Sequence, residues 1–436
     1  MRIRHLRIGV WLSACAAAIG AGSDGTPAFR VVSYMDRYDQ PVGILEGAPG
    51  IFYSNAGASP PVAFSFNPQG AITILAKFSL GEHILGPLVS AANGRFYSAV
   101  QRGGSTPPVE FSVADAPDTK QVYAPQSLSP LLTQSLPDGT LLGVAFSSGP
   151  YHLVRSDLDG NVTSIYQFPI GERLPIAAIY GTDGNFYGVA TRGGSGYVYR
   201  VTPAGQIVKL AQFERSFGSD YVFAPLLQAR DGDLYGVTPA GGANGKGSVY
   251  KVSLGGQSTR LYDFTGGANA HPTSLIEASD GNLYGAAQGS GATSQLFRLT
   301  TSGRFTLLYE MENLARDGQC PCSLMQASDS ILYGTAARYG ATGAGALFAL
   351  DLHLPKPAPA PLDFTPKSGK AGTRVRIWGE HLLSASVRFN GVAATDVSSS
   401  GPNFLWATTP AGAATGPITV TNPGGMAGTK VSFVMK

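Results

Sequence analysis

The chain has 436 residues, enough for one large domain or two ordinary ones. Charged residues make up only 14%, and 31 Lys plus Arg against 28 Asp plus Glu leave a net charge of +3 with no basic stripe, which excludes an electrostatic case for nucleic acid. The 57 glycines and 30 prolines, together with 19 tyrosines and 21 phenylalanines, point to many short strands joined by tight turns.

The N-terminus reads as an export signal. Arg2, Arg4 and Arg7 precede an uncharged apolar or small stretch from Ile8 to Ala21. That stretch is too short to span a bilayer but suits a signal-peptide core. Small residues at Ala18 and Gly20, and again at Ala21 and Ser23, offer two cleavage sites. Residues 1–23 are therefore expected to be a signal peptide and the mature chain extracytoplasmic: secreted, periplasmic or on the outer surface of a bacterium. A competing reading lies inside the stretch. Leu12, Ser13, Ala14 and Cys15 form a bacterial lipobox pattern, which makes Cys15 a candidate for lipidation and a lipid anchor the one route to the membrane.

Seven units follow. An aromatic-tyrosine-small triplet recurs with its central residue at Tyr53, Tyr97, Tyr187, Tyr235, Tyr284 and Tyr333, and Leu142 fills the single gap. The spacings are 44, 45, 45, 48, 49 and 49 residues, the period of propeller blades. A proline stands ten or twelve residues before each centre: Pro41, Pro87, Pro130, Pro175, Pro225, Pro272 and Pro321. Asn93 with Gly94, and Asp138, Asp183, Asp231 and Asp280 each followed by glycine, form hairpin turns ahead of the triplets.

The fifth unit divides into strands over 225–230, 233–238, 248–253 and 259–264, the content of one four-stranded blade. The seventh unit lacks its fourth strand, and an orphan copy, Phe29 to Met35, precedes the first unit. The expected fold is therefore all-β: a seven-bladed β-propeller over 29–353, with an N-terminal strand closing the last blade and pairing what would otherwise be open edges. Asp280, Gly281, Asn282, Leu283, Tyr284 and Gly285, with Gly247, Ser248, Val249, Tyr250, Lys251 and Val252, resemble the Gloeo/Verruco (GloVer) tandem repeat of bacterial exported proteins. The resemblance covers about 29–350, strongest in units four to six. It implies a non-catalytic surface or secreted propeller and transfers no active site.

A proline-rich linker, 354–361, separates this from a C-terminal module over 362–436. There Val375 and Ile377 alternate with Arg374 and Arg376, as in a half-buried strand. Phe364 to Gly369, Gly372 to Gly379, Val387 to Gly391 and Gly416 to Gly425 arrive in the order of the IPT/TIG domain, which they resemble. That resemblance implies an immunoglobulin-like β-sandwich in a spacer or adhesion role.

Candidate site residues lie in the segments that end at the seven prolines, which a propeller gathers around one mouth of its channel. They include His83, Arg173, Tyr221 and His271, with Glu82 and Glu172 alongside. Histidines beside carboxylates could perform acid–base chemistry. His83 and His271, however, belong to units two and six, which are not neighbours in a seven-membered ring. No nucleophile elbow, HExxH helix or Walker loop is present. Cys320 and Cys322 are one residue too close for a C-x-x-C motif and have no second pair to complete a zinc site. Asp157 to Asn161 lacks the bidentate glutamate of a calcium loop. No cofactor, metal or catalytic residue is implied. The leading expectation is an exported binding or scaffold protein whose partner is a polysaccharide or another cell-surface protein. The alternative is a glycan lyase or hydrolase acting at the channel mouth.

Overall fold

The computed structural model describes residues 27–436 except 36–40, 58–60, 80–81, 85, 102–107, 112–118, 122–128, 147–149, 173–177, 214–225, 267–269, 290–292, 312–318 and 339–344. Among the described residues there is no helix, and seven antiparallel sheets follow one another from Ala28 to Asp351.

The fifth sheet shows how each is built. Leu227–Gln228, Leu234–Thr238, Ser248–Val252 and Ser258–Asp263 pair in chain order. Leu234–Thr238 is buried throughout, because one face, through Tyr235 and Val237, packs on the sixth sheet and the other, through Leu234, packs on the fourth. A strand covered on both faces has no polar alternation to display. Ser258–Asp263 is exposed or half-buried and accordingly carries Thr259 and Arg260. The glycine of the triplet has its own cause. A Cβ on Gly236 would overlap the Tyr250 ring, and Gly188, Gly285 and Gly334 stand in the same way beneath Tyr199, Phe297 and Phe348.

Seven hydrophobic clusters each join two consecutive sheets. The last of them packs Val32, Tyr333 and Leu347 against Phe52, Phe64 and Phe66, so the seventh sheet meets the first and the series closes into a ring. The seventh sheet is ordered Ala28–Tyr34, Ala346–Asp351, Leu332–Arg338, Gln319–Gln326. Its outer strand is thus the N-terminal one, with Phe29 opposite Leu350 and stacked on Tyr309 at 3.9 Å. Arg30 stands opposite Ala349, which in turn faces Tyr333. In the fourth, fifth and sixth sheets the residue facing the triplet tyrosine is Arg200, Lys251 or Arg298. The closing strand therefore brings a cation to the one blade of these four whose third strand lacks it.

Past Asp351 the prolines lead into two further sheets. One is ordered Ala360–Thr365, Arg374–Glu380, Phe404–Thr408, Val397–Ser399; the other, Ser368–Gly369, Gly425–Met435, Gly416–Asn422, Ser386–Phe389, Val392–Ala393. They sandwich a core that includes Val375, Ile377, Val387, Phe389, Ile418 and Phe433. Alternation sends Arg376 and Trp378 to the opposite face. That face meets the propeller rather than water. Trp378 and Phe404 pack on Ala92 and Tyr180, and Arg376 Nη2 donates to the Pro137 carbonyl at 2.9 Å. The Gln326 amide and the Ser279 hydroxyl both donate to the Pro355 carbonyl. The spacer role expected for the C-terminal module thus has to accommodate a unit docked flat on the hairpin turns.

Candidate functional site

The repeated polar residues serve the ring itself. In the fourth to seventh sheets the hairpin turn holds its own triplet tyrosine. Tyr187, Tyr235, Tyr284 and Tyr333 donate to Asp183, Asp231, Asp280 and Asp329 at 2.6–2.9 Å. Burial, and then the bond to Asp231, push the Tyr235 hydroxyl up to about 12. Burial alone would raise Asp231, but its bonds from Tyr235 and Lys251 hold it below the usual carboxylate range.

A second clasp links neighbouring sheets. Seven residues before the triplet centre stand Glu46, Gln228, Glu277 and Gln326, and each side chain accepts a backbone N–H from the preceding sheet. The donors are Ser328, Thr182, Arg230 and Ser279, at 2.7–2.9 Å. Sequence reading passed over this series, although the recurrence of Glu or Gln at that offset was there to be found.

Three of the residues expected at the channel mouth, Glu82, Glu172 and His271, are committed to the fold. Glu82 is buried and accepts from the Ser79 N–H at 2.7 Å, while its own N–H returns to the Ser79 carbonyl. Glu172 occupies the matching turn after the third sheet. It accepts the Tyr197 hydroxyl at 2.5 Å, with Lys209 Nζ at 3.7 Å from its other oxygen and 3.9 Å above the Tyr197 ring. Burial and this bond drive the Tyr197 hydroxyl well above its ordinary value. His271 adopts φ +48° and places Nδ1 2.7 Å from the Pro239 carbonyl. An acceptor there requires Nδ1 to carry the proton. Its backbone N–H donates to Lys246, which fastens the approach to the sixth sheet onto a loop of the fifth.

The backbone of His83 pairs with Gln101 in the second sheet. The second and sixth sheets share no core cluster, so the ring does not make neighbours of His83 and His271. Arg173, Tyr221 and Cys15 lie outside the described residues. Among the described residues no group of three or more His, Cys, Asp and Glu is placed to hold a metal ion.

A recess lies at the other end of the ring. The first strands of the first, fifth, sixth and seventh sheets end over the sandwich, and between them is a chamber of about 570 Å³. Leu227, Ile276, Leu324 and Leu383 form apolar wall; Glu277, Glu380 and His381 are among its polar residues. Glu380 is exposed, although the atoms packed around it push its carboxyl up against the opposing effect of Arg230. Burial likewise raises Glu277, where the nearby Glu380 charge adds to the effect and Arg230 opposes it. The His381 imidazole is pushed down to about 4, by burial and then by Arg230.

With this geometry in view, the sequence profile of the Gloeobacter/Verrucomicrobia repeat matches residues 126–350, just over half of the chain. The chain belongs to the Gloeobacter/Verrucomicrobia repeat family. The matched repeat region runs from the start of the third sheet to the end of the seventh. No match was found among curated proteins. Among solved structures, the extracellular domain of a putative hybrid two-component system from B. thetaiotaomicron is 11% identical with a TM-score of 0.52, covering 94% of this chain and 57% of that one. The WD40 β-propeller domain of Doa1 is 10% identical with a TM-score of 0.50, covering 73% of this chain and 96% of that one. At such identities these likenesses establish for this Gloeobacter/Verrucomicrobia repeat protein the β-propeller fold alone.

Proposed function

We propose that this protein is an exported, non-catalytic binding or scaffold protein, and that its partner, a polysaccharide or another cell-surface protein, meets the propeller on the face away from the sandwich. The observation that carries this reading is the employment of Glu82, Glu172 and His271. Each makes hydrogen bonds that fix a turn or fasten one loop to the next. A rigid ring that displays loops on one face while a docked module covers the other suits recognition.

The same reading takes the ring as seven-bladed over 29–353, 354–361 as its linker and 362–436 as an IPT/TIG domain. Residues 1–23 are its signal peptide and the location is extracytoplasmic. That one solved structure of similar fold is an extracellular domain is in keeping with this. The test is a glycan array together with a pull-down from bacterial envelope extract, using the full mature chain. Retention of a defined glycan or envelope protein is expected; silence in both overturns the binding role. Mass spectrometry of the mature N-terminus separates a lipidated Cys15 from a start after residue 20 or 23.

A further inference from the structure

We propose that the sandwich is a hinged lid on the hairpin-turn end of the propeller, fastened along one side of the ring and free to lift at the other. The lid belongs to the opposite end of the ring from the open face and stands whether or not a partner meets that face.

Two carbonyls mark the hinge. The Ser279 hydroxyl and the Gln326 amide, from the sixth and seventh sheets, both donate to the Pro355 carbonyl. Two residues on, the Asn422 amide of the sandwich donates to the Pro357 carbonyl and also to that of His381. Pro355 is thereby held by the propeller and Pro357 by the sandwich, with Lys356 between them. Proline fixes its own φ, so a change in the angle between the two units falls on the torsions around this one residue.

The latch lies across the ring. Trp378 and Phe404 pack on Ala92 in the turn of the second sheet and on Tyr180 of the fourth, and Arg376 reaches the Pro137 carbonyl in the turn of the third. In a ring of seven the third sheet stands opposite the junction of the sixth and seventh. The two sides differ in how well they are bonded. On the hinge side Ser279, Gln326 and Asn422 all have partners for their side chains. On the latch side Ser90 Oγ, Ser400 Oγ, Trp378 Nε1 and Arg376 Nε are buried without a hydrogen-bond partner. Ser90 and Ser400 sit in the seam itself: a Cβ on Gly401 would overlap the Ser90 hydroxyl, and one on Gly94 would meet Ser400 at 3.8 Å.

Burial of Trp378 and Phe404 favours the closed lid. Each polar group that loses water on closing and gains no partner opposes it. The seam also encloses the chamber of about 570 Å³ where close-packed side chains would otherwise add contact. Domains joined by an interface with a small apolar part and incomplete bonding move relative to one another. Lifting the lid parts His381 and Leu383 of the sandwich from Ile276 and Leu324 of the propeller and opens the chamber.

Two hairpin turns of like construction provide the test. Under the latch the Gly94 N–H donates to the Ala91 carbonyl and the Ala91 N–H to that of Arg95. Beside the hinge the Gly281 N–H donates to the Ala278 carbonyl and the Ala278 N–H to that of Asn282. In hydrogen exchange of the full mature chain, corrected for intrinsic rates, Ala91 and Gly94 should exchange about tenfold faster than Ala278 and Gly281. Trp378→Ala should speed the first pair about tenfold more and leave the second unchanged. A second measurement avoids the latch tryptophan. Ser90 and Ser274 are both buried serines whose hydroxyls lack a partner, one in the seam and one within the propeller, so cysteine replaces either without breaking a bond. Maleimide, located by mass spectrometry, should label Ser90→Cys about tenfold faster than Ser274→Cys. Equal exchange at the two turns, or equal labelling of the two cysteines, overturns the lid.

Discussion

The Glu46 carboxylate accepts both the N–H and the hydroxyl of Ser328, each at 2.7 Å, across the seam where the first sheet meets the seventh. Its first oxygen also takes the Gly50 N–H at 3.0 Å. Glu46 is buried, so Glu46→Ala leaves two backbone donors to find new acceptors. A loss of about 1–3 kcal/mol is expected. Urea unfolding with an unchanged slope and a lowered midpoint would show it; an unchanged midpoint would mean that the seam does not depend on this clasp.

Closure also depends on the strand Ala28–Tyr34. Removing residues 28–34 strips the outer edge from Ala346–Asp351, takes Phe29 off Tyr309 and removes the Arg30 bond to the Pro68 carbonyl. The exposed edge is then a template for pairing with other chains. A truncated protein should aggregate or melt far below the parent. Light scattering during a thermal ramp distinguishes the two, and a melting temperature equal to the parent's would remove the closing strand from the account.

The contrast between Asp231 and Trp378 explains what could be read from sequence. Asp231 binds Tyr235, four residues away, and that pairing repeats in the turns of the fourth to seventh sheets, so the register of the ring was visible in composition and spacing. The closing strand was visible because a missing fourth strand and an orphan copy define each other. Glu277 reaches Arg230, 47 residues distant, and only the ring makes them neighbours. Trp378 alternates with Ile377 as it would on any half-buried strand, and nothing local distinguishes a face turned to water from one turned to another domain. The chamber has no sequence signature at all, because Glu277 and Glu380 belong to separate units.

Ser330 breaks the turn pattern. It adopts φ +83°, where Gly94, Gly139, Gly184, Gly232 and Gly281 stand at 75° to 89°. An L-residue in that region costs about 1–2 kcal/mol, and glycine returns roughly 0.5–1 kcal/mol of this as extra freedom in the unfolded chain. Ser330→Gly should therefore stabilise the protein by about 0.5–1 kcal/mol, read as a raised urea midpoint. A lowered midpoint would mean that the serine side chain contributes more than its backbone costs.

Trp378 is only 3% exposed, yet it points away from the sandwich core. Trp378→Ala should loosen the docking while sparing Val375 and Ile377 on the inner face. Loss of a buried tryptophan costs about 3–5 kcal/mol where the site cannot collapse. Hydrogen exchange should rise at the hairpin turns around Ala92 and along the linker, with protection retained in Gly416–Asn422. Equal protection everywhere would show that Arg376 and the Pro355 clasps hold the sandwich without it.

The chamber also sets opposing dependences on pH. His381 is held near 4 in the folded protein against an ordinary value of 6.5, so the unfolded chain takes up this proton first. The stability it contributes is present above about pH 6.5 and is lost as pH falls toward 4, by at most about 3 kcal/mol. Glu277 and Glu380 act the other way. Their carboxyls are raised above the ordinary 4.5, so the folded protein takes up these protons first, and their contribution grows on acidification and is lost as pH rises through the folded values. In His381→Gln the fall in stability between pH 6.5 and 4 should therefore be shallower than in the parent. In Glu380→Gln, which keeps His381 and loses an opposing group, it should be steeper. Urea midpoints across this range decide the matter: parallel curves for all three proteins would mean that these side chains are as free in the folded state as in the unfolded one.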